Sequence, residues 1–251
     1  MQESVGKIAQ WIVSQPTLLI ANQAPVSDNP FRQCDGFSPP AYNGSSRLGF
    51  VYQELCHQLF QYHPDYRVEL EEFQVQQGKQ TLGAIDFIVC NQAIEHWEVA
   101  LKFYLLHDGL WFGPEGQDRL DIKLDRMLNH QLAMSSCAEF TRQFPQFSHA
   151  KKMLFIQGRL YINPFLDQRV PDNCLGYTLN PECCNGKWCY QSQLNGIKQK
   201  LYPLDKLNWV AGITNPDKLL DSTMPADRTV HCQSESGEFW MIVPDGWPEK
   251  R

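Results

Sequence analysis

Two stretches decide the fold: Ala84-Ile85-Asp86-Phe87-Ile88-Val89 and His96-Trp97-Glu98-Val99-Ala100-Leu101-Lys102-Phe103-Tyr104. Both are rich in β-branched and aromatic residues and are separated by a polar turn, which predicts two strands of a hairpin. Charged residues interrupt the apolar ones in both. A buried ionised side chain costs several kcal/mol unless it is paired or binds a metal. Folding alone therefore gives little reason for Asp86, Glu98 and Lys102, and we look for function there.

Alternation of side chains along the second strand puts Glu98, Ala100 and Lys102 on one face of the sheet. The hairpin brings Asp86 to cross-strand distance from Glu98. Two converging carboxylates suit Mg²⁺ or Mn²⁺, which favour oxygen ligands and retain bound water. Such a water can hydrolyse a phosphodiester. Lys102 is suited to orient that water or to stabilise the charge of the transition state.

Apolar residues at helical spacing predict helices over 2–20, closed by Pro16, and over 48–60 and 118–135. Extended runs predict strands over 66–75, 81–90, 95–105 and 152–162. The order is therefore a helix, a three-stranded meander and another helix. Glu54 lies beside the apolar stripe of the second helix, from which it could add a ligand or hold a metal-bound water.

The composition changes beyond residue 166 to Pro, Gly, Asn and Cys with isolated tryptophans. We therefore predict an α/β domain over 1–166 and a small β-rich C-terminal module over 167–251, with strands at 188–191 and 239–243. The tryptophans are expected to supply the core of this module. A cysteine cluster in this region lacks the paired spacing of a zinc ribbon, so we expect free thiols; its members are Cys174, Cys183, Cys184 and Cys189.

The bulk composition predicts a globular protein. The chain has 251 residues, 43% hydrophobic and 20% charged, which suffices for a sizeable core. Its net charge of -6 means that a nucleic-acid partner would need a local basic patch. The first residues do not show the pattern of a secretory signal, and the apolar runs fall short of the roughly 18 residues that a membrane span needs. With nine cysteines in an irregular pattern, we predict a cytoplasmic protein with no membrane partner.

The element order resembles the PD-(D/E)XK nuclease superfamily, in which a helix bearing Glu precedes a strand bearing Asp and a strand bearing Glu and Lys. The stretches 82–87, 96–104 and 113–132 are similar to the bacterial family called domain of unknown function 1853, and this resemblance covers most of the chain. The superfamily resemblance implies a restriction-endonuclease-like α/β (α+β) core, a mixed central sheet flanked by helices. It carries over Asp86 and Glu98 as metal ligands and Lys102 as the catalytic lysine.

This chain departs from the superfamily pattern at the lysine. That residue normally lies two positions after the acid, where this sequence has Ala100, and Lys102 is about 6 to 7 Å farther along the strand. Lys123 on the following helix is a possible substitute. Gln131 resembles polar residues that contact the phosphate backbone in some members, and Arg119 carries the planar fork of donors that suits phosphate.

Three functions fit these patterns. The first is a metal-dependent phosphodiesterase that acts on nucleic acid. The second is a non-catalytic binding or scaffold protein that keeps the nuclease-like fold. The third is recognition of a partner by the C-terminal tryptophans. Simpler interpretations are a same-face salt bridge on a solvated sheet edge for Glu98 with Lys102, and a solvated, charged helix face for 118–126.

Overall fold

The computed structural model describes residues 1–213, 219–220 and 227–249. In these residues the centre of the fold is one mixed sheet of nine strands. Its strands are β1 (Arg67–Gln77), β2 (Gln80–Asn91), β3 (Ala93–His107), β4 (Leu110–Phe112), β5 (Lys151–Ile162), β8 (Gly186–Tyr190), β9 (Leu201–Pro203), β10 (Val230–Ser234) and β11 (Phe239–Val243). A separate pair consists of β6 (Asn173–Cys174) and β7 (Tyr177–Thr178).

The strand order is β1-β2-β3-β5-β8-β11-β10-β9, with β4 paired to β3. The meander β1 to β3 is antiparallel, the pairs from β3 through β5 and β8 to β11 are parallel, and β9 to β11 are antiparallel again. The predicted mixed central sheet flanked by helices is therefore confirmed. Strands β8 to β11, which follow residue 167, continue this same sheet, and the division into two modules stays a prediction.

The helices are α1 (Gln2–Ser14), α2 (Leu48–Tyr62), α3 (Leu120–Arg126) and α4 (Ala138–Gln143). The helix predicted over 2–20 ends earlier, at Ser14, because Gln15 is already extended before Pro16. The prediction of one α-helix over 118–135 is wrong. Seven residues are α-helical, a π turn follows over Met127–Gln131, and a 3₁₀ turn covers Met134–Ser136.

The two faces of β3 belong to different layers of the core. Trp97, Val99 and Phe103 pack in the cluster that contains the apolar faces of α1 and α2. Ala100 and Tyr104 pack in the cluster that contains the apolar residues of α3. The alternation predicted for this strand therefore directs Glu98 and Lys102 toward the α3 layer.

The C-terminal tryptophans are shared between two parts of the core. Trp188 and Trp247 belong to the cluster of α1 and α2, with ring centroids 5.0 Å apart. Trp240 packs in a smaller cluster with Cys232 and Ile242. All nine cysteines are free thiols. Among the helices of the described residues, none has the length and apolar character to cross a bilayer.

Candidate functional site

The site begins where β2 and β3 separate. Their antiparallel ladder runs from the pair Asn91 and Ala93 to the pair Phe87 and Trp97. Asp86 is the next residue of β2, and its side-chain Oδ2 accepts a hydrogen bond of 3.0 Å from the backbone N–H of Val99. A carboxylate therefore satisfies a backbone donor of β3 just beyond the end of the ladder.

Glu98 faces this gap from β3 and is fully buried. Its Oε1 accepts a hydrogen bond of 3.4 Å from the backbone N–H of Asp86. The same oxygen lies 2.9 Å from Nε2 of His96, and Oε2 accepts a hydrogen bond of 2.5 Å from Gln131. The two acids are thus adjacent, and Glu98 is held in one orientation by three polar groups.

A buried histidine fixes Glu98 from behind. His96 has no solvent exposure, and its Nδ1 lies 2.8 Å from the hydroxyl of Ser135. Burial lowers the pKa of His96 to about 4, so the imidazole is neutral at pH 7. With Glu98 ionised, Nε2–H donates to the carboxylate and Nδ1 accepts from Ser135. Ser135 is itself buried, so this arrangement positions Glu98 and does not present a nucleophile.

Burial makes both carboxyl groups hold their protons more tightly. It raises the pKa of Glu98 to about 7. Burial, and after it the charge of Glu98, raises the pKa of Asp86 to about 7. Two carboxylates so close cannot both ionise at low cost without a cation. A divalent metal ion would take the place of the shared protons, and this donor set therefore fits Mg²⁺ or Mn²⁺.

The ammonium group beside these carboxylates is that of Lys123. Its Nζ donates a 2.9 Å hydrogen bond to Oε1 of Gln131, which in turn donates to Glu98. Burial, and next the charge of Lys102, lowers the pKa of Lys123, while the charges of Asp86 and Glu98 raise it. Lys123 therefore lies within the electrostatic reach of both acids.

The π turn explains how Lys123 and Gln131 come together. Residues eight apart in a regular α-helix differ by about 80° around the axis. A turn with i→i+5 hydrogen bonds, such as the 2.9 Å bond from Leu132 N–H to Met127 C=O, takes up one additional residue. The eight residues then complete roughly two turns, and both side chains project toward Glu98.

Lys102 is on the predicted face but contacts a different acid. Its Nζ donates a 2.6 Å hydrogen bond to Oδ2 of Asp118, which also accepts one of 3.3 Å from the hydroxyl of Tyr104. Arg119 donates to both carboxylate oxygens of Asp121 through Nε and Nη2, and its guanidinium lies 5.9 Å from the ring centroid of Phe112. These groups extend the site toward the start of α3.

Glu54 lies in a second cluster. Its Oε1 accepts a 2.7 Å hydrogen bond from Gln58, and it groups with His57 of α2 and Glu71 of β1. Sequence reasoning did not single out His57 or Glu71. It also missed His96, although the period-two alternation that places Glu98 on the α3 face places His96 there too.

The fold and the site define a mixed α+β protein with two adjacent acids, partly exposed Asp86 and fully buried Glu98, where two strands of its sheet diverge. The chain belongs to the family described as Domain of unknown function (DUF1853), whose model matches residues 10–243. The family predicted from the sequence is therefore confirmed, and the PD-(D/E)XK resemblance stays a prediction. No curated protein and no solved structure matches the chain.

Proposed function

We propose that this protein is a metal-dependent phosphodiesterase that acts on nucleic acid. Asp86 and Glu98 bind Mg²⁺ or Mn²⁺, and an ammonium group beside them activates the reaction. The observation that carries the proposal is the pair of adjacent carboxyl groups, both with the pKa raised to about 7. Folding gains nothing from such a pair, whereas a divalent cation relieves its repulsion.

Each residue of the site has a distinct role in the proposed reaction. Asp86 and Glu98 hold the ion, which when bound supplies an acidified water and neutralises phosphate charge. His96 and Gln131 keep the carboxylate of Glu98 in one orientation, as polar groups behind metal ligands commonly do. Gln131 also positions the ammonium of Lys123. These bonds hold the constellation before substrate binds, which lowers the cost of reorganisation in the reaction.

We assign the activating role to Lys123 and a phosphate contact to Lys102. Lys123 is connected through Gln131 to Glu98, and burial lowers its pKa. Lys102 is held 2.6 Å from Asp118. An ammonium already paired with a carboxylate is less able to stabilise new negative charge. Arg119 lies at the same end of α3 and offers a second phosphate contact once it releases Asp121.

The test is cleavage of labelled single- and double-stranded DNA and RNA with Mg²⁺ or Mn²⁺. We expect activity that Asp86→Ala reduces at least about 100-fold. Lys123→Met should lower kcat by a similar factor and Lys102→Met mainly raise KM. Lys79→Met, a change of an exposed lysine in the β1–β2 turn, should have no effect. Equal cleavage by the wild type and Asp86→Ala would remove the proposed site.

A second candidate is a non-catalytic binding or scaffold protein. Ala100 at the usual lysine position and the pairing of Lys102 with Asp118 favour it. Calorimetry with Mn²⁺ separates the candidates. Binding that Glu98→Ala abolishes supports the enzyme, whereas the absence of binding at millimolar Mn²⁺ supports the scaffold.

A further inference from the structure

A second group of potential metal ligands lies on the other side of the sheet. Glu54 and His57 are three residues apart on α2 and therefore share one helix face. Glu71 faces them from β1, where it pairs with Phe87. One ligand atom from each residue lies within 4.8 Å of the other two. The three side chains thus converge from two different elements.

Two contacts describe how this group is held. Nδ1 of His57 lies 2.6 Å from Oε1 of Glu71, and Gln58 donates a 2.7 Å hydrogen bond to Glu54. The side-chain oxygen of Gln58, Oε1, is fully buried and has no hydrogen-bond partner in the part of the chain that the structure describes. A buried amide oxygen without a donor destabilises the fold unless something else satisfies it. It is also a hard ligand of the kind that divalent cations accept.

The group borders a cavity of about 440 Å³ whose lining includes Tyr42, Glu54, Gln58 and Glu71. The imidazole of His57 is 18% exposed and the side chain of Glu71 is 32% exposed, so water and ions reach both. The cavity gives an ion a path to the ligands without unfolding of α2 or β1.

We propose that Glu54, His57 and Glu71 bind a divalent transition-metal ion such as Zn²⁺ or Co²⁺. One imidazole nitrogen and two carboxylates form a mixed donor set that suits these borderline ions, whereas Mg²⁺ prefers oxygen ligands alone. The unpaired oxygen of Gln58 belongs to the same side chain whose amide N–H holds Glu54. The site is distinct in chemistry from the pair Asp86 and Glu98.

The geometry requires only a small adjustment. In a tetrahedral Zn²⁺ site with bonds of about 2.0–2.2 Å, neighbouring ligand atoms lie about 3.3 Å apart. The 2.6 Å distance between His57 and Glu71 must therefore open by about 0.7 Å. The widest separation in the group, at most 4.8 Å, must close. Side chains that are partly exposed can make both movements by small rotations.

The charges favour a cation at this point. Burial raises the pKa of Glu71, and so do the charges of Glu54 and Glu72, whereas His57 lowers it. The carboxylates of Glu54 and Glu72 thus both interact electrostatically with that of Glu71. A divalent ion would offset this concentration of negative charge.

The sheet separates this group from Glu98. Phe87, the partner of Glu71, packs in the cluster of α1 and α2, and its ring lies 6.2 Å from that of His57. Glu98 points to the other face and contacts Gln131 from the π turn after α3. The two sites can therefore be removed one at a time.

The experiment is a Co²⁺ titration of the full chain in excess Mg²⁺, monitored by visible absorption. We expect one equivalent of Co²⁺ to give d–d bands, and His57→Ala or Glu71→Gln to weaken binding at least about 100-fold. Glu69→Gln is the matched control, because Glu69 is a carboxylate of the same strand that pairs with Arg67. Circular dichroism confirms that each variant is folded.

The cobalt titration has outcomes that would overturn the proposed site. Equal Co²⁺ binding by the wild type and a folded His57→Ala variant would overturn the proposal, and so would the intense near-ultraviolet band of thiolate-bound cobalt, which would indicate cysteine ligands instead. Asp86→Ala should leave the d–d bands unchanged while it removes nucleic-acid cleavage. Loss of cleavage without loss of cobalt, or the reverse, therefore separates a failure of this site from a failure of the proposed function.

Discussion

Replacing Asp86 by Asn should make the metal-free protein more stable at pH 8. Asp86 is partly exposed, and burial raises its pKa from 3.8 to about 7. This difference between the two pKa values corresponds to about 4 kcal/mol as an upper limit. Partial exposure and the coupling to Glu98 reduce this, because removing one charge also lets the other acid ionise more readily. We therefore expect the free energy of unfolding to rise by about 1–2 kcal/mol.

The pH dependence follows from the direction of the shift. Because the folded-state pKa lies above the unfolded one, the folded protein binds more protons between about pH 4 and 7. The contribution of Asp86 to stability is therefore complete below pH 4 and is lost as the pH rises through 7. Asn does not titrate, and its Oδ1 can still accept from Val99 N–H. The advantage of Asp86→Asn should be absent at pH 4 and largest above pH 7.

The assay is urea unfolding monitored by tryptophan fluorescence between pH 4 and 8.5, with chelator present. Asp205→Asn is the matched control, since Asp205 is exposed and its side chain makes no capping hydrogen bond. Adding Mg²⁺ at 100 times its Kd should stabilise the wild type by about 2.7 kcal/mol and leave Asp86→Asn unchanged. If Asp86→Asn is no more stable than the wild type at pH 8 without metal, the argument from the carboxyl pair is refuted.

Further substitutions test the support of the site and the packing of the sheet. His96→Ala should lower the free energy of unfolding by about 2–4 kcal/mol and the Mg²⁺ affinity by about 10–100-fold, since it leaves buried Glu98 without one of its donors. The control is His130→Ala, a change of an exposed histidine, and both variants are measured by calorimetry and urea unfolding. Equal effects of the two substitutions would contradict the role of His96. Gly158→Ala should destabilise by more than about 3 kcal/mol, because its Cβ would lie 1.6 Å from a carbonyl oxygen of β3 at a φ of +151°. Gly49 lies on α2, and a Cβ added there would have no atom within 4 Å, so Gly49→Ala should instead stabilise the protein by about 0.5–1 kcal/mol. Thermal unfolding compares the two glycine variants. A Gly158→Ala protein as stable as the wild type would show that β5 can move.

Local patterns predicted the bounds of two elements well. The strand expected at 239–243 is confirmed as Phe239–Val243, and the helix expected at 48–60 is confirmed as Leu48–Tyr62. The helix has apolar residues at a spacing of three or four, whereas the strand is a short continuous apolar run that is buried on both faces. The helix expected at 118–135 failed because the same apolar spacing is compatible with a π turn, which depends on the packing around Met127–Gln131.

The sequence alone determined that Glu98 and Lys102 share a face of β3, since side chains alternate along any strand. Tertiary structure decided which partners they meet. The divergence of β2 and β3 brings Asp86 to Glu98, and the π turn adds Lys123 to them. Packing at the start of α3 brings Asp118 within hydrogen-bond distance of Lys102. Spacing along a chain fixes direction within one element, whereas the distance between elements depends on how their buried surfaces pack, and a site made by several elements is therefore decided only in the folded protein.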